Sequence, residues 1–579
     1  MPDYARHPVS YTSRFDKTSA ALCFLLFFVA FGVRFFAADY GYFHGDERIN
    51  EAAKVLTGQL VPGQHFYPPF INYLNAVALA GLFAVGRVAD WWGGAGEFRA
   101  QYFADPTVFY VTARMVTALT GALLAPLFYG VARAVGLDRG RSVIVALVAV
   151  LFPLGVFMAH IAKGDTGLAT ALVAVIWALL MRVQGHRRWD WALGLFVVLT
   201  LSFKHSAVFI LAPMGLGLLG LLIQAEGARP ALRSFGRAVL VVLVLWPVLN
   251  IGLLMDFRNF LDYQRIQAVM SLRTGAEGPQ AGPITLLHRA IEIVFGMNPA
   301  MTVGAVLTPL MLWRTRGRPL RGALWTVWLS LAIGTVAVAL MAGPRQPEHL
   351  WIANFAGFLL LAGLLLIELT EQPAVLRRVL AAGVFSVGLM LSTYGTYVVL
   401  KQAAAQPIQQ AVGGYLQARY PDRKVLTSMA LTIPQQKEAQ GFELDRMARL
   451  ARKYNVDLPD MASERLILHS AQGAVYFVNM PGVMYGLENV DENAIDYEVK
   501  AHAWPLQKEE WQLDYWLEQG FSVFSVLDFQ TYAYSSEPEI RRAFFQRMEK
   551  DCAMVQAFAP SKPLFLEREV VIFDCAAAS

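Results

Sequence analysis

The residues with chemical capability in this chain gather where its hydrophobic runs end. After the first run comes Tyr42-Phe-His-Gly-Asp-Glu-Arg-Ile-Asn-Glu51, which sets Asp46 and Glu47 side by side and His44 two residues earlier. A carboxylate with a pKa near ~4 can take the proton that a hydroxyl or amine sheds while it forms a bond, so Asp46 can serve as a general base. Asp is also a favoured helix N-cap, and a helix is expected from Glu47 toward Leu56; the two roles are compatible. Glu47 would orient an acceptor or a neighbouring side chain. A second cluster reads His160-Ile-Ala-Lys163-Gly-Asp165, three ionisable groups in six residues at the edge of a span. Such groups are costly there unless they serve something. The plainer reading has Asp165 capping the next helix and Lys163 snorkelling to the interface. Lys204, in Phe203-Lys204-His205, and Arg345 with His349, in Gly343-Pro-Arg345-Gln-Pro-Glu348-His349, complete the set of boundary charges. Arg114, inside a span, reads as the structural partner of an acidic residue.

These positions need a scaffold, and the composition says which kind. The chain has 579 residues, 56% hydrophobic and only 16% charged, with a mean hydropathy of +0.42. Repeated apolar runs of about 20 residues, the length that crosses a bilayer, make it a polytopic α-helical membrane protein. Spans are predicted near 19–38, 106–132, 142–158, 166–183, 190–203, 206–224, 237–255, 292–313, 323–342, 349–368 and 379–399, about 11 transmembrane helices. Arginines at 133, 139, 141, 182, 187, 188, 229, 233, 237, 314, 316, 318, 321, 377 and 378 fall on one side with Arg6, Arg14 and Lys17. By the positive-inside rule that side is the cytoplasm. Loop 39–105 and the chain beyond 400 are then extracytoplasmic, and the N-terminal run reads as an uncleaved signal anchor. Within loop 39–105, residues 69–88 are apolar but carry Asn72, Asn75 and Arg87; an interfacial helix fits better than a span, which would invert every later loop. Residues 256–275 suggest a second such helix.

Beyond 400 the composition becomes that of an ordinary globular domain. Strands are predicted at 425–430, 474–478, 522–527 and 570–573, and helices at 408–419, 442–454, 509–519 and 538–550, a C-terminal extracytoplasmic α/β domain over 401–579. Its Cys552 and Cys575 could pair in an oxidising compartment; with Cys23 they are the chain's three cysteines, too few for a disulfide framework. The charge of +5 gives no reason to expect nucleic acid. No Gly-rich phosphate loop is present, since the glycines around Gly94 lack the strand and helix such a loop needs. HExxH and CxxC patterns are also absent.

The order of residues 44–75, from His44-Gly-Asp-Glu47 through Ala52-Ala-Lys-Val-Leu-Thr-Gly-Gln-Leu-Val-Pro62 to Phe66-Tyr67-Pro-Pro-Phe-Ile-Asn-Tyr-Leu74, resembles the first external loop of GT-C superfamily glycosyltransferases. Within that superfamily it resembles most the bacterial relatives of protein O-mannosyltransferases and of lipid A aminoarabinose transferases. The resemblance is specific around 42–75, 158–170 and 343–350, and it implies function. It gives residues 1–400 the GT-C transmembrane domain, a polyprenyl-phosphate-linked monosaccharide as donor, and inversion at the anomeric carbon. Asp46 matches the assigned base, and Asp165, with Glu47 beside Asp46, completes the catalytic set. Lys163, Lys204 and Arg345 fall where donor phosphate is held, while His44, His160, Tyr67 and His349 would line the cavity or meet the acceptor. A divalent ion at Asp46, Asp165 and His160 is the alternative weighed; neither metal nor other cofactor is expected. The acceptor would be a cell-envelope glycolipid, glycan or protein, and the seat of the enzyme the bacterial inner membrane. A transporter or lipid-linked-sugar flippase is the alternative, with a non-catalytic scaffold of the same fold as a third. Transporters commonly carry inverted repeats and broken helices near mid-membrane, whereas the charges here collect at span ends.

Overall fold

The structure is a computed structural model that describes residues 16–40, 47–62, 65, 67–104, 106–273, 282–314, 320–342, 347–370, 374–429, 431, 433–454, 473–480, 508–534, 539–559 and 569–576. Asp46, His44 and Arg345 lie outside the described residues. The apolar runs fold as helices because only a helix satisfies every backbone donor and acceptor within its own segment. In chain order they are α1 (Lys17–Phe35), α2 (Ile49–Leu56), α3 (Phe70–Val88), α4 (Ala95–Ala104), α5 (Thr107–Ala122) and α6 (Leu124–Ala134). Next come α7 (Arg139–Val150), α8 (Pro153–Ala159), α9 (Asp165–Val183), α10 (Trp189–Phe203), α11 (Val208–Glu226) and α12 (Ala228–Leu249). The short α13 (Ile251–Met255) precedes α14 (Phe257–Arg273), α15 (Pro283–Met297), α16 (Pro299–Arg314), α17 (Arg321–Ala342), α18 (Ile352–Leu369) and α19 (Val375–Ala403). Among the described residues nine helices are long and apolar enough to cross a membrane, or up to eleven if each of two bent pairs counts as one span. The chain is a multi-pass membrane protein.

The bends have identifiable causes. Pro153 cannot donate to the carbonyl of Ala149, and α7 and α8 meet at 54°. Arg34, buried at the end of α1, fills the gap by donating from Nη2 to that Ala149 oxygen at 2.7 Å. The span predicted at 292–313 is a break instead: Pro299 ends α15 at Met297, and α16 leaves at 117°. Asn298 satisfies the corner, donating to the Gly388 carbonyl at 2.8 Å and the Ser392 hydroxyl at 2.9 Å on α19. The nearly continuous stretch 190–224 is interrupted at Lys204, whose backbone is extended (φ −161°, ψ 125°).

α3 is 19 residues, about 28 Å, long enough to span, and its ring contacts are made at its two ends. Phe70, at its start, packs its ring 5.2 Å from Phe203, where α10 ends. Near its other end Phe83 meets Phe98, whose ring lies 4.9 Å from Phe109 at the start of α5. Those helix ends belong to the same side of the bundle, so both ends of α3 pack toward that side. At the opposite ends of α9, α10, α11 and α12 the buried Arg182 donates to Asp190 at 2.7 Å, Ser234 at 2.9 Å and Glu226 at 2.6 Å. Asp190 also receives Arg237 at 3.2 Å.

The C-terminal residues form a five-stranded sheet of β1 (Lys424–Thr427), β2 (Phe477–Asn479), β3 (Phe521–Leu527), β4 (Ala553–Phe558) and β5 (Val570–Asp574), in the order β2-β1-β3-β5-β4. β2, β1 and β3 are parallel; β5 runs antiparallel to β3 and to β4. Helices α20 (Ile408–Arg419) and α21 (Lys437–Tyr454), with Leu513–Glu518, Phe529–Tyr534 and Glu539–Asp551, accompany it. Cys552 and Cys575 are disulfide-bonded, one step beyond the paired Ala553 and Asp574 at the end of the β4–β5 ladder.

Candidate active site

The chain between α1 and α2 is held by one arginine. Arg114 on α5 is 1% exposed and grips Glu47 with both arms, Nε to Oε1 at 2.8 Å and Nη2 to Oε2 at 2.9 Å. Its Nη1 donates to the carbonyls of Ala38 at 3.0 Å and Tyr40 at 2.5 Å. Glu47 Oε1 also accepts the Ala162 N–H at 2.9 Å. Glu47 is thereby the acidic partner of Arg114, and both its oxygens are engaged by the protein. His160, buried at the end of α8, brings Nε2 to 2.7 Å from the Phe36 carbonyl and Nδ1 to 2.9 Å from that of Val156. Burial holds its pKa below the ordinary value, although both carbonyl contacts raise it. His160 therefore secures the end of α1.

Further along the chain a small pocket, with a cavity volume of about 20 Å³, opens among Arg48, Tyr67, Asn72, Lys163, Asp165 and Lys204. Asp165 is the first residue of α9 and 2% exposed; Gly164 takes the N-cap position, and the Asp165 side chain makes no capping bond. Lys204 donates to its Oδ1 at 2.8 Å and Lys163 stands 3.8 Å from Oδ2. Oδ2 has no hydrogen-bond partner among the described residues, an acceptor left open in a place where buried polar atoms are ordinarily paired. Close packing makes this geometry: a Cβ on Gly167 would lie 2.3 Å from the Phe203 ring, so a small residue there lets α10 bring Lys204 against α9.

The Tyr67 ring takes cations on its face, Lys163 Nζ at 4.9 Å and the Arg48 guanidinium at 5.4 Å from its centre. Lys163 Nζ also lies 3.3 Å from His349 Nε2. Thus Tyr67, Lys163, Asp165, Lys204 and His349, spread over nearly 300 residues, converge, while Glu47 and His160 form a buried clamp beside them. Three cations against one carboxylate, at the positive end of the α9 dipole, suit a phosphate. Arg48 escaped the sequence reading because it sits where a helix begins; its signal was a third consecutive charge after Asp46-Glu47. Among the described residues no three His, Cys, Asp or Glu side chains gather as metal ligands.

No protein-family model matches the sequence, and no curated protein does. Solved structures show a distant likeness. The chain is similar over 97% of its length to ArnT from Cupriavidus metallidurans bound to undecaprenyl phosphate, covering 98% of that chain at 13% identity and a TM-score of 0.46. It is similar over 95% of its length to the archaeal oligosaccharyltransferase AglB from Archaeoglobus fulgidus, in complex with an inhibitory peptide and a dolichol-phosphate, covering 74% of that chain at 12% identity and a TM-score of 0.41. A mycobacterial arabinofuranosyltransferase, AftD, is similar over 92% of this chain and 42% of its own, at 18% identity and a TM-score of 0.35. At these scores no residue assignment rests on the likeness.

Proposed function

We propose that this protein is a membrane glycosyltransferase that moves a monosaccharide from a polyprenyl-phosphate donor to a cell-envelope acceptor. The observation that carries the reading is the pocket itself, where Arg48, Lys163 and Lys204 surround a buried Asp165 beside an aromatic wall. In the reaction the acceptor oxygen or nitrogen bonds to the anomeric carbon as its bond to the phosphate oxygen breaks. The acceptor proton passes to Asp46, and the leaving polyprenyl phosphate gains negative charge. Cations fixed beside that phosphate stabilise the transition state more than the ground state. Asp165 holds Lys204 in place, and its open Oδ2 can accept a hydrogen bond from a sugar or acceptor hydroxyl. Arg345 is assigned to the phosphate as well.

Two features support an extracytoplasmic site. The arginine-rich connections occupy the other ends of the spans, and the Cys552–Cys575 disulfide suits an oxidising compartment. With α3 read as lying across one side and α10 as crossing despite its 15 residues, eleven spans carry residues 401–579 to the same side as the pocket. The test is transfer from a radiolabelled polyprenyl-phosphate sugar by purified protein, without nucleotide and in the presence of chelator. Efficient transfer from a nucleotide sugar, with none from the lipid-linked form, refutes the reading.

A further inference from the structure

Beside the pocket, a second set of polar contacts joins two segments far apart in sequence. His65 Nε2 and Asp256 Oδ2 lie 2.6 Å apart, and Gln264 donates to the His65 carbonyl at 3.2 Å. The Tyr73 hydroxyl donates to the Leu60 carbonyl at 2.9 Å and accepts the Gly252 N–H at 3.0 Å. Gly252 is obligatory at this crossing, since a Cβ there would lie 2.0 Å from the Leu60 oxygen. The α13–α14 segment is therefore stitched to the chain that leads into Tyr67.

The stitching reaches two pocket residues on separate elements. His65 is two residues from Tyr67. On the other flank, the Phe260 ring of α14 lies 5.4 Å from the ring of His205, the neighbour of Lys204, and 6.1 Å from that of His65. The arrangement carries a load: among the described residues, His65 Nδ1 and His205 Nε2 are both buried without hydrogen-bond partners on either side of Phe260. Each is an unsatisfied polar atom that lifting α14 would return to water. The His65–Asp256 contact opposes that release.

We propose that His65 and Asp256 are positioning residues for the lipid-phosphate pocket. Their contact holds α14 down on the first external loop, and this sets Tyr67 and Lys204 for the donor. The inference rests on reading the pocket as a lipid-phosphate site. Neither residue touches the reacting atoms, so their loss weakens donor binding and leaves the chemical step its groups. The Asp256 side chain is 28% exposed; a partly screened, charge-assisted hydrogen bond of this kind shifts the closed–open balance about tenfold.

The experiment uses the full chain in nanodiscs, with Asp256→Ala, Asp256→Asn and the reciprocal exchange of His65→Asp with Asp256→His. Amide hydrogen exchange over 251–265, without ligand, reads the clasp. Decaprenyl phosphate binding, followed by tryptophan fluorescence, and donor KM against kcat read the pocket. Asp256→Ala should raise exchange and weaken binding about tenfold each, with KM rising and kcat within about twofold. Asp256→Asn, which keeps a hydrogen-bonding oxygen, and the reciprocal exchange should recover most of both. Unchanged exchange in Asp256→Ala overturns the clasp, and raised exchange with unaltered decaprenyl phosphate binding overturns its positioning role. Failure of the wild-type protein to bind decaprenyl phosphate overturns the pocket reading and the positioning role with it, and is recognised before any variant is made.

Discussion

Replacing Glu47 by Leu, Arg114 by Met, and both together should expose how strongly the buried pair couples. Their side chains are 0% and 1% exposed and meet through two nearly parallel bonds of 2.8 and 2.9 Å. With charge centres about 4 Å apart and an effective dielectric near 20, the attraction is about 4 kcal/mol. Removing one partner leaves the other buried and unpaired, at about 3–5 kcal/mol. Arg114→Met also strips a donor from the carbonyls of Ala38 and Tyr40, so it should be the worse single change. Removing both partners abolishes the stranded charge, and the double variant should be more stable than either single one would predict, with a coupling of about 3 kcal/mol. Denaturation by titrated SDS in mixed micelles, followed by tryptophan fluorescence, measures all four proteins. Additive effects, with coupling below about 0.5 kcal/mol, would refute the claim that this pair is what fixes the chain between α1 and α2.

Three further outcomes are expected. Asp46→Asn keeps the shape but removes the proton acceptor, so turnover should fall about 10²-fold or more while donor binding survives; near-normal turnover in a folded protein removes Asp46 from the role. Lys204→Ala and Arg345→Ala should impair use of the lipid donor more than of the acceptor in steady-state kinetics, and equal effects on both would argue against phosphate contact. Replacing Cys552 and Cys575 by Ser should cost the C-terminal domain about 3 kcal/mol for a loop of sequence separation 23, read as a lower urea midpoint for unfolding of its helical signal; an unmoved midpoint would mean the bond adds nothing.

The scaffold was largely legible because spans announce themselves by length and hydropathy. Helix α20 appears at the predicted bounds, and α3 forms where an interfacial helix was expected. Composition alone could not show where spans break, for the corner at Asn298-Pro299 depends on Asn298 finding Gly388 and Ser392 on a distant helix. β4 was missed because its sequence, Ala553–Phe558, is apolar apart from Gln556, so the polar–apolar alternation that marks a half-buried strand is absent although Val555 and Phe558 pack on the sheet. In the site, spacing marked Lys163, Asp165 and Lys204 as charges at span ends. It could not tell that Lys204 pairs with Asp165, or that Glu47 is consumed by Arg114, because those partners are 39 and 67 residues apart. Arg48, at the start of a helix, takes its relevance from the Tyr67 ring.

The ionic knot of Arg182, Asp190, Glu226 and Arg237 has a mechanical consequence at the far end of the helices it joins. At the pocket end α9 and α10 are tied again, by the Lys204–Asp165 bond and by Phe203 packed on Gly167, so the two helices form a frame pinned at both ends. A frame pinned in this way resists splaying, and the spacing of Lys204 and Asp165 is set before anything enters the pocket. Loosening Arg182 would leave that spacing to the pocket's own contacts, one helix length away, although no atom of the pocket had been touched.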